Sequence, residues 1–171
     1  MIPTTEKNIG ERLFFRYFLI YTAAFVPLLL IVRRGLPIPY PDMAGLFQLI
    51  VLALALFGGV TVISGVYLPI LCIIKAGADA AFFHRITKMV KTDAIGMLEW
   101  NALFLLLALS LFLFLFAASA ACRFSFSCRK RDFSLVFSKP FAQFLLQCAI
   151  CMALSLLLMF LFSRAEEMLP R

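Results

Sequence analysis

The chain has 171 residues, of which 64% are hydrophobic and 15% charged, and its formal net charge is +7. A soluble domain carries roughly 45–50% apolar and about 25% charged residues, and one this small exposes too much surface to hide such an excess. The composition therefore excludes a water-soluble domain, and basic residues gathered at the ends of apolar runs point to lipid headgroups rather than nucleic acid.

Residues 1–12 are short and polar. The first apolar run, Leu13 to Val32, contains Arg16 and ends at Arg33-Arg34 without a small-residue cleavage site. It is expected to stay as a first membrane helix rather than to be removed as a signal peptide. Pro27 removes one backbone donor within it, which predicts a kink. The following segment, Arg33 to Asp42, contains three prolines and is expected to form a stiff turn with Tyr40 at the interface.

The second run, Ala44 to Ile74, is 31 residues long. As one helix it would reach roughly 46 Å, against about 30 Å of hydrocarbon, so it must tilt, bend or project. Gly58-Gly59 and Pro69 are the expected bending points. Small residues recur at four-residue spacing at Ala55 and Gly59, and again at Thr61 and Gly65. Such spacing lets helix backbones approach closely, so these four residues are expected to pack against another helix.

From Lys75 to Glu99, Phe82, Phe83, Ile86, Met89 and Val90 recur at helical spacing, with Arg85, Lys88 and Lys91 between them. The pattern predicts an amphipathic helix lying in the interface between the second and third spans; the alternative is a soluble extension of a long membrane helix. His84 is the single histidine. It has no evident orienting partner, and is expected to be an exposed structural residue rather than a base.

The third run, Ala102 to Cys122, includes the bulky stretch Leu103 to Phe116, expected to face lipid with Ser110, Ala117 and Ala121 turned inward. Arg123 to Pro140 interleaves basic residues with phenylalanines, as expected of a loop meeting anionic lipids. The fourth run is Phe141 to Phe162. Within it, Cys148 and Cys151 form a C-x-x-C motif without the helix N-terminus that makes such a pair reactive in soluble redox proteins. The cysteine count is 5, which is odd and argues against a disulfide framework, so most cysteines read as small buried hydrophobes.

The pattern predicts an all-α integral membrane protein: one domain, 1–171, forming a four-helix transmembrane bundle (spans about 13–32, 44–74, 102–122 and 141–162) with one amphipathic interfacial helix. Four crossings would put both termini on one side. Nine basic residues on that side against seven on the other make it the expected cytoplasmic face of a cell (inner or plasma) membrane.

Polar residues within the runs are the candidate binding residues, because each costs free energy in lipid. Arg16 and Glu99 would neutralise each other if paired; alternatively Arg16 snorkels to the headgroups and Glu99 stays wet. Gln143 and Gln147 share one face of the fourth helix, and their amides, with that of Gln48, are expected to bond between helices; the alternative is a polar patch along a conduction path.

No phosphate loop, hydrolase elbow or zinc motif occurs, so no catalytic residue, metal or cofactor is expected. The expected function is non-enzymatic. The chain would bind another membrane protein, or a second copy of itself, and modulate or protect against that partner in the manner of immunity or exclusion proteins, or serve as an accessory subunit. The alternative is a small oligomeric transporter or channel; the absence of a carboxylate from every apolar run weighs against it.

Overall fold

The computed structural model describes residues 4–35, 44–58, 64–88, 94–130 and 139–168. They form five α-helices: α1 (Thr4–Arg33), α2 (Ala44–Gly58), α3 (Ser64–Lys88), α4 (Ala94–Lys130) and α5 (Lys139–Met168). The described residues are all-helical apart from the turn at Arg34-Gly35, and among them four helices carry segments long and apolar enough to cross a membrane: Glu11–Arg33, Gly65–Lys88, Met97–Ser125 and Phe141–Arg164. The shorter apolar helix is α2, between the first and second of these.

The long second run is therefore two helices. Its excess length is resolved after Gly58, where α2 ends, while Pro69 lies inside α3. The two helices run antiparallel. Near one end Gln48 bonds to Asp79; near the other, a Cβ on Gly58 would lie 3.1 Å from the Tyr67 ring.

Directions of the remaining helices follow from their contacts. Tyr21 meets Asp79 and Phe25 meets Phe83, so α1 and α3 run parallel. Lys75 meets Ser110 and Phe83 meets Phe104, so α4 opposes α3. Phe124 stacks on Phe144 near the start of α5, while Phe162 near its end packs on Phe82, so α5 runs with α1 and α3. Successive helices thus alternate in direction, and α2 is the return leg between the parallel α1 and α3. Its 15 residues span about 22 Å, short of a full hydrocarbon core of about 30 Å. The start of α1 and the end of α5 consequently lie at opposite ends of the bundle. This corrects the expectation that both termini share one side, which counted the second run as one crossing.

The expected interfacial helix is also revised. Residues up to Lys88 continue α3, and Phe82 and Ile86 are buried in the bundle. Small residues Ala76, Gly77, Ala78, Ala80 and Ala81 let α1 and α4 approach α3 closely here. The apolar face that suggested membrane against water is a face turned to neighbouring helices. Met89 and Val90 lie outside the described residues.

α4 differs from expectation as well. Leu103, Leu106, Leu107 and Phe114 are buried, so the bulky stretch packs inside rather than facing lipid throughout. Ser110, Ala117 and Ala121 turn inward as expected. At the end of α1, Gly35 adopts φ +83, a left-handed conformation that glycine takes without steric cost, and its amide bonds to the Val32 carbonyl at 3.0 Å.

Candidate functional site

α3 carries Lys75 and Asp79 one turn apart, so their side chains share a face. Lys75 lies about 16 Å along the axis from Ser64, and Asp79 about 13 Å from Lys88, which places both in the middle third of the span. Their side chains are 1% and 0% exposed. A charged group at such depth costs at least ~2.5–3.5 kcal/mol even on insertion scales, so its partners decide whether it can remain ionised.

Those partners come from three other helices. The Lys75 ammonium donates to both oxygens of Asp79, at 2.7 Å to Oδ1 and 2.6 Å to Oδ2. Its third hydrogen goes to Ser110 Oγ of α4 at 3.0 Å. The Ser110 hydroxyl donates to Gln48 Oε1 of α2 at 3.0 Å. Gln48 Nε2 returns to Asp79 Oδ1 at 3.0 Å, closing a ring. Tyr21 of α1 donates its hydroxyl to Oδ2 at 2.8 Å. All three ammonium hydrogens are used, and the carboxylate accepts four bonds, which is its approximate capacity. The cluster is neutral as an ion pair and holds α1, α2 and α4 to α3.

Aromatic rings continue from the cluster toward the Lys88 end of α3. Phe25 stacks on Tyr21 at 5.7 Å, Phe83 packs on Phe25 at 6.1 Å, Phe104 on Phe83 at 6.2 Å, and Trp100 on Phe104 at 5.9 Å. They form an apolar seam between α1, α3 and α4 on that side of the ion pair. His84 lies partly buried beside this seam rather than exposed, with its Nδ1 unpaired.

Of the residues singled out from sequence, Gln48 reaches the cluster. Arg16 and Glu99 do not meet: both are exposed, Arg16 toward the starting end of α1 and Glu99 at the opposite end, near the start of the reversed helix α4. Gln143 is exposed and Gln147 half-buried on α5, so neither joins the interior network. Among the expected packing residues, Ala55 is fully buried. Gly65 is exposed, and a Cβ there would meet nothing within 4 Å. Gly59 and Thr61 lie outside the described residues. The tight glycine is Gly45, where a Cβ would come within 2.6 Å of the Met159 carbonyl oxygen on α5. Cys148 and Cys151 are free thiols, half-buried and buried.

Lys75 and Asp79 escaped sequence reasoning because they follow the second apolar run, where charges ordinarily mark its exit from the membrane. The signal that would have found them is the excess length of that run. Split at Gly58-Gly59, it leaves a second helix centred on the Lys-x-x-x-Asp pair. Among the described residues, no group of three or more His, Cys, Asp or Glu side chains is placed to hold a metal ion.

Compared with protein-family models, with curated proteins and with solved structures, the chain matches none.

Proposed function

We propose that the protein is a small transporter of a cell (inner or plasma) membrane, whose conformational change consists of making and breaking the Lys75–Asp79 pair. One observation carries this reading: a fully buried ion pair at mid-span, bonded to three neighbouring helices. Apolar residues of similar volume hold helices together as well as a buried ion pair does, so stability alone is a weak reason to keep two charges in lipid. Ionisable groups at this depth mark ion and substrate pathways. Three helices bond to this one pair, so breaking it changes how they are held to α3. No covalent step is involved, and the pair acts as a binding and switching element.

Reconstitution into liposomes tests this. Under an imposed ion gradient and membrane potential, proton and monovalent-cation fluxes are followed with entrapped dyes. The wild-type protein is expected to carry a flux that Asp79→Asn, shown by circular dichroism to keep its helices, abolishes. Equal flux in the two proteins, or none in either, overturns the transport reading.

A second reading, binding of another membrane protein or of a second copy, is favoured by Gln143 and Gln147, which face away from the interior network. An amide at a lipid-facing surface gains from a partner helix that bonds to it, by about 0.6 kcal/mol. Co-purification in mild detergent with Gln143→Leu/Gln147→Leu tests it: capture that is unchanged by the double substitution removes this face as the docking surface. In either case anionic headgroups are expected against exposed Arg33, Arg34, Arg85 and Lys88 at one end of the bundle.

A further inference from the structure

The Lys75–Asp79 cluster also constrains which ion opens it. Hard metal cations are held by shells of oxygen atoms. The cluster contains five side-chain oxygens: two on Asp79 and one each on Tyr21, Gln48 and Ser110. All are engaged. The seat between them belongs to the Lys75 ammonium, which is tethered to the same helix and uses its three hydrogens on Asp79 and Ser110. Lys75 is itself fully enclosed, so a metal cation taking that seat must displace the ammonium within the interior of the bundle, where the α3 side chains one turn back, Leu71 and Cys72, are buried and carry no oxygen to accept it. Two like charges would then share one buried site with a single carboxylate between them. A proton needs no seat of its own.

We propose that the ion that opens the pair is a proton taken by the Asp79 carboxylate. This rests on the transport reading above and names its coupling ion. In the step, a hydronium ion gives its proton to one Asp79 oxygen and leaves as water; the carboxylate becomes a carboxylic acid, and the net charge of the cluster goes from zero to +1. The groups facing that carboxylate are Tyr21 from α1, Gln48 from α2, and Lys75 from its own helix, with Ser110 of α4 reaching it through Lys75 and Gln48.

The new acid hydroxyl is a donor where only donors now point. If it forms on Oδ2, the Tyr21 hydroxyl must give up its donation there; if on Oδ1, the Gln48 amide nitrogen, a donor only, must turn away. The ammonium loses its counter-charge and keeps Ser110. An uncompensated charge is strongly unfavourable in the buried interior, which drives the helices to rearrange. Protonation therefore loosens α1 or α2 from α3 while α4 stays attached through Ser110.

Infrared spectroscopy of the full chain in liposomes tests this apart from any flux. As pH is lowered, a carboxylic-acid C=O stretching band assignable to Asp79 is expected to grow in the wild-type protein and to be lost completely in Asp79→Asn. The Lys75→Met/Asp79→Leu variant, which removes both charges, serves as a second subtraction if the single variant misfolds. The midpoint of the band is expected to be the same in sodium, potassium and choline chloride. Absence of an Asp79-specific acid band over the whole range in which helicity is retained overturns the proton inference, as does a midpoint that moves with sodium or potassium. If sodium or potassium flux persists under either result, transport stands and only the identity of the ion falls.

Discussion

The inner and outer helices of this bundle are built from similarly apolar sequence and do different things. The membrane-length segments of α1, α4 and α5 have mean hydropathy 2.0, 2.6 and 2.5, and that of α3 is the lowest at 1.7. Burial follows another order: 61% of the apolar 18-residue stretch of α3 and 56% of that of α4 are buried, against 11% for α1 and 22% for α5. The least hydrophobic span is thus the most enclosed. In water the reverse would hold. In lipid, apolar side chains are equally well placed facing outward, so enclosure goes to helices with small residues that pack closely and polar groups that need partners. α3 has both, in Ala76, Gly77, Ala78, Ala80 and Ala81 and in Lys75 and Asp79.

The outer pair supplies the test with the largest effect, because its outcome is all-or-none. α1 and α5 run in the same direction, so reporters fused before Thr4 and after Met168 are expected in opposite compartments. Reporters on the same side would break the assignment of α2 as a return leg, and with it the inner position of α3.

Next in size is the inner ion pair. Lys75→Met leaves a buried carboxylate without its counter-charge and is expected to cost about 3–5 kcal/mol. Lys75→Met/Asp79→Leu removes both charges and is expected to recover most of that loss. Thermal unfolding of the purified proteins in detergent, followed by circular dichroism, measures both. A double variant no more stable than the single one would show that the unpaired Asp79 carboxylate is not what destabilises Lys75→Met.

Smaller effects sharpen the boundary between inner and outer surfaces. Gly45→Ala places a methyl group 2.6 Å from the Met159 carbonyl oxygen and must push α2 from α5, a loss of about 1–3 kcal/mol. Gly65→Ala enters open space and is expected to be neutral or to stabilise by up to about 1 kcal/mol through helix propensity. Equal unfolding temperatures for the two variants would mean that α2 does not cross α5 at Gly45.

The sequence by itself determined the solvent, the helical class and the places of the first, third and fourth apolar segments long enough for membranes. These depend on local quantities: composition, run length and the 3.6-residue period. It also placed Ser110, Ala117 and Ala121 inward, since small and polar side chains in a bulky run have one economical direction to face. Tertiary structure alone decided that Ala44 to Ile74 folds back on itself after Gly58, that α1 and α3 are parallel, and that Lys75 and Asp79 lie at mid-depth rather than at an exit from the membrane. The physical reason is that the cost of a charge in lipid is set by its partners. Tyr21, Gln48 and Ser110 lie 58, 31 and 31 positions from Asp79 in the chain, and no local pattern reports that they converge on Asp79 and its Lys75 counter-charge.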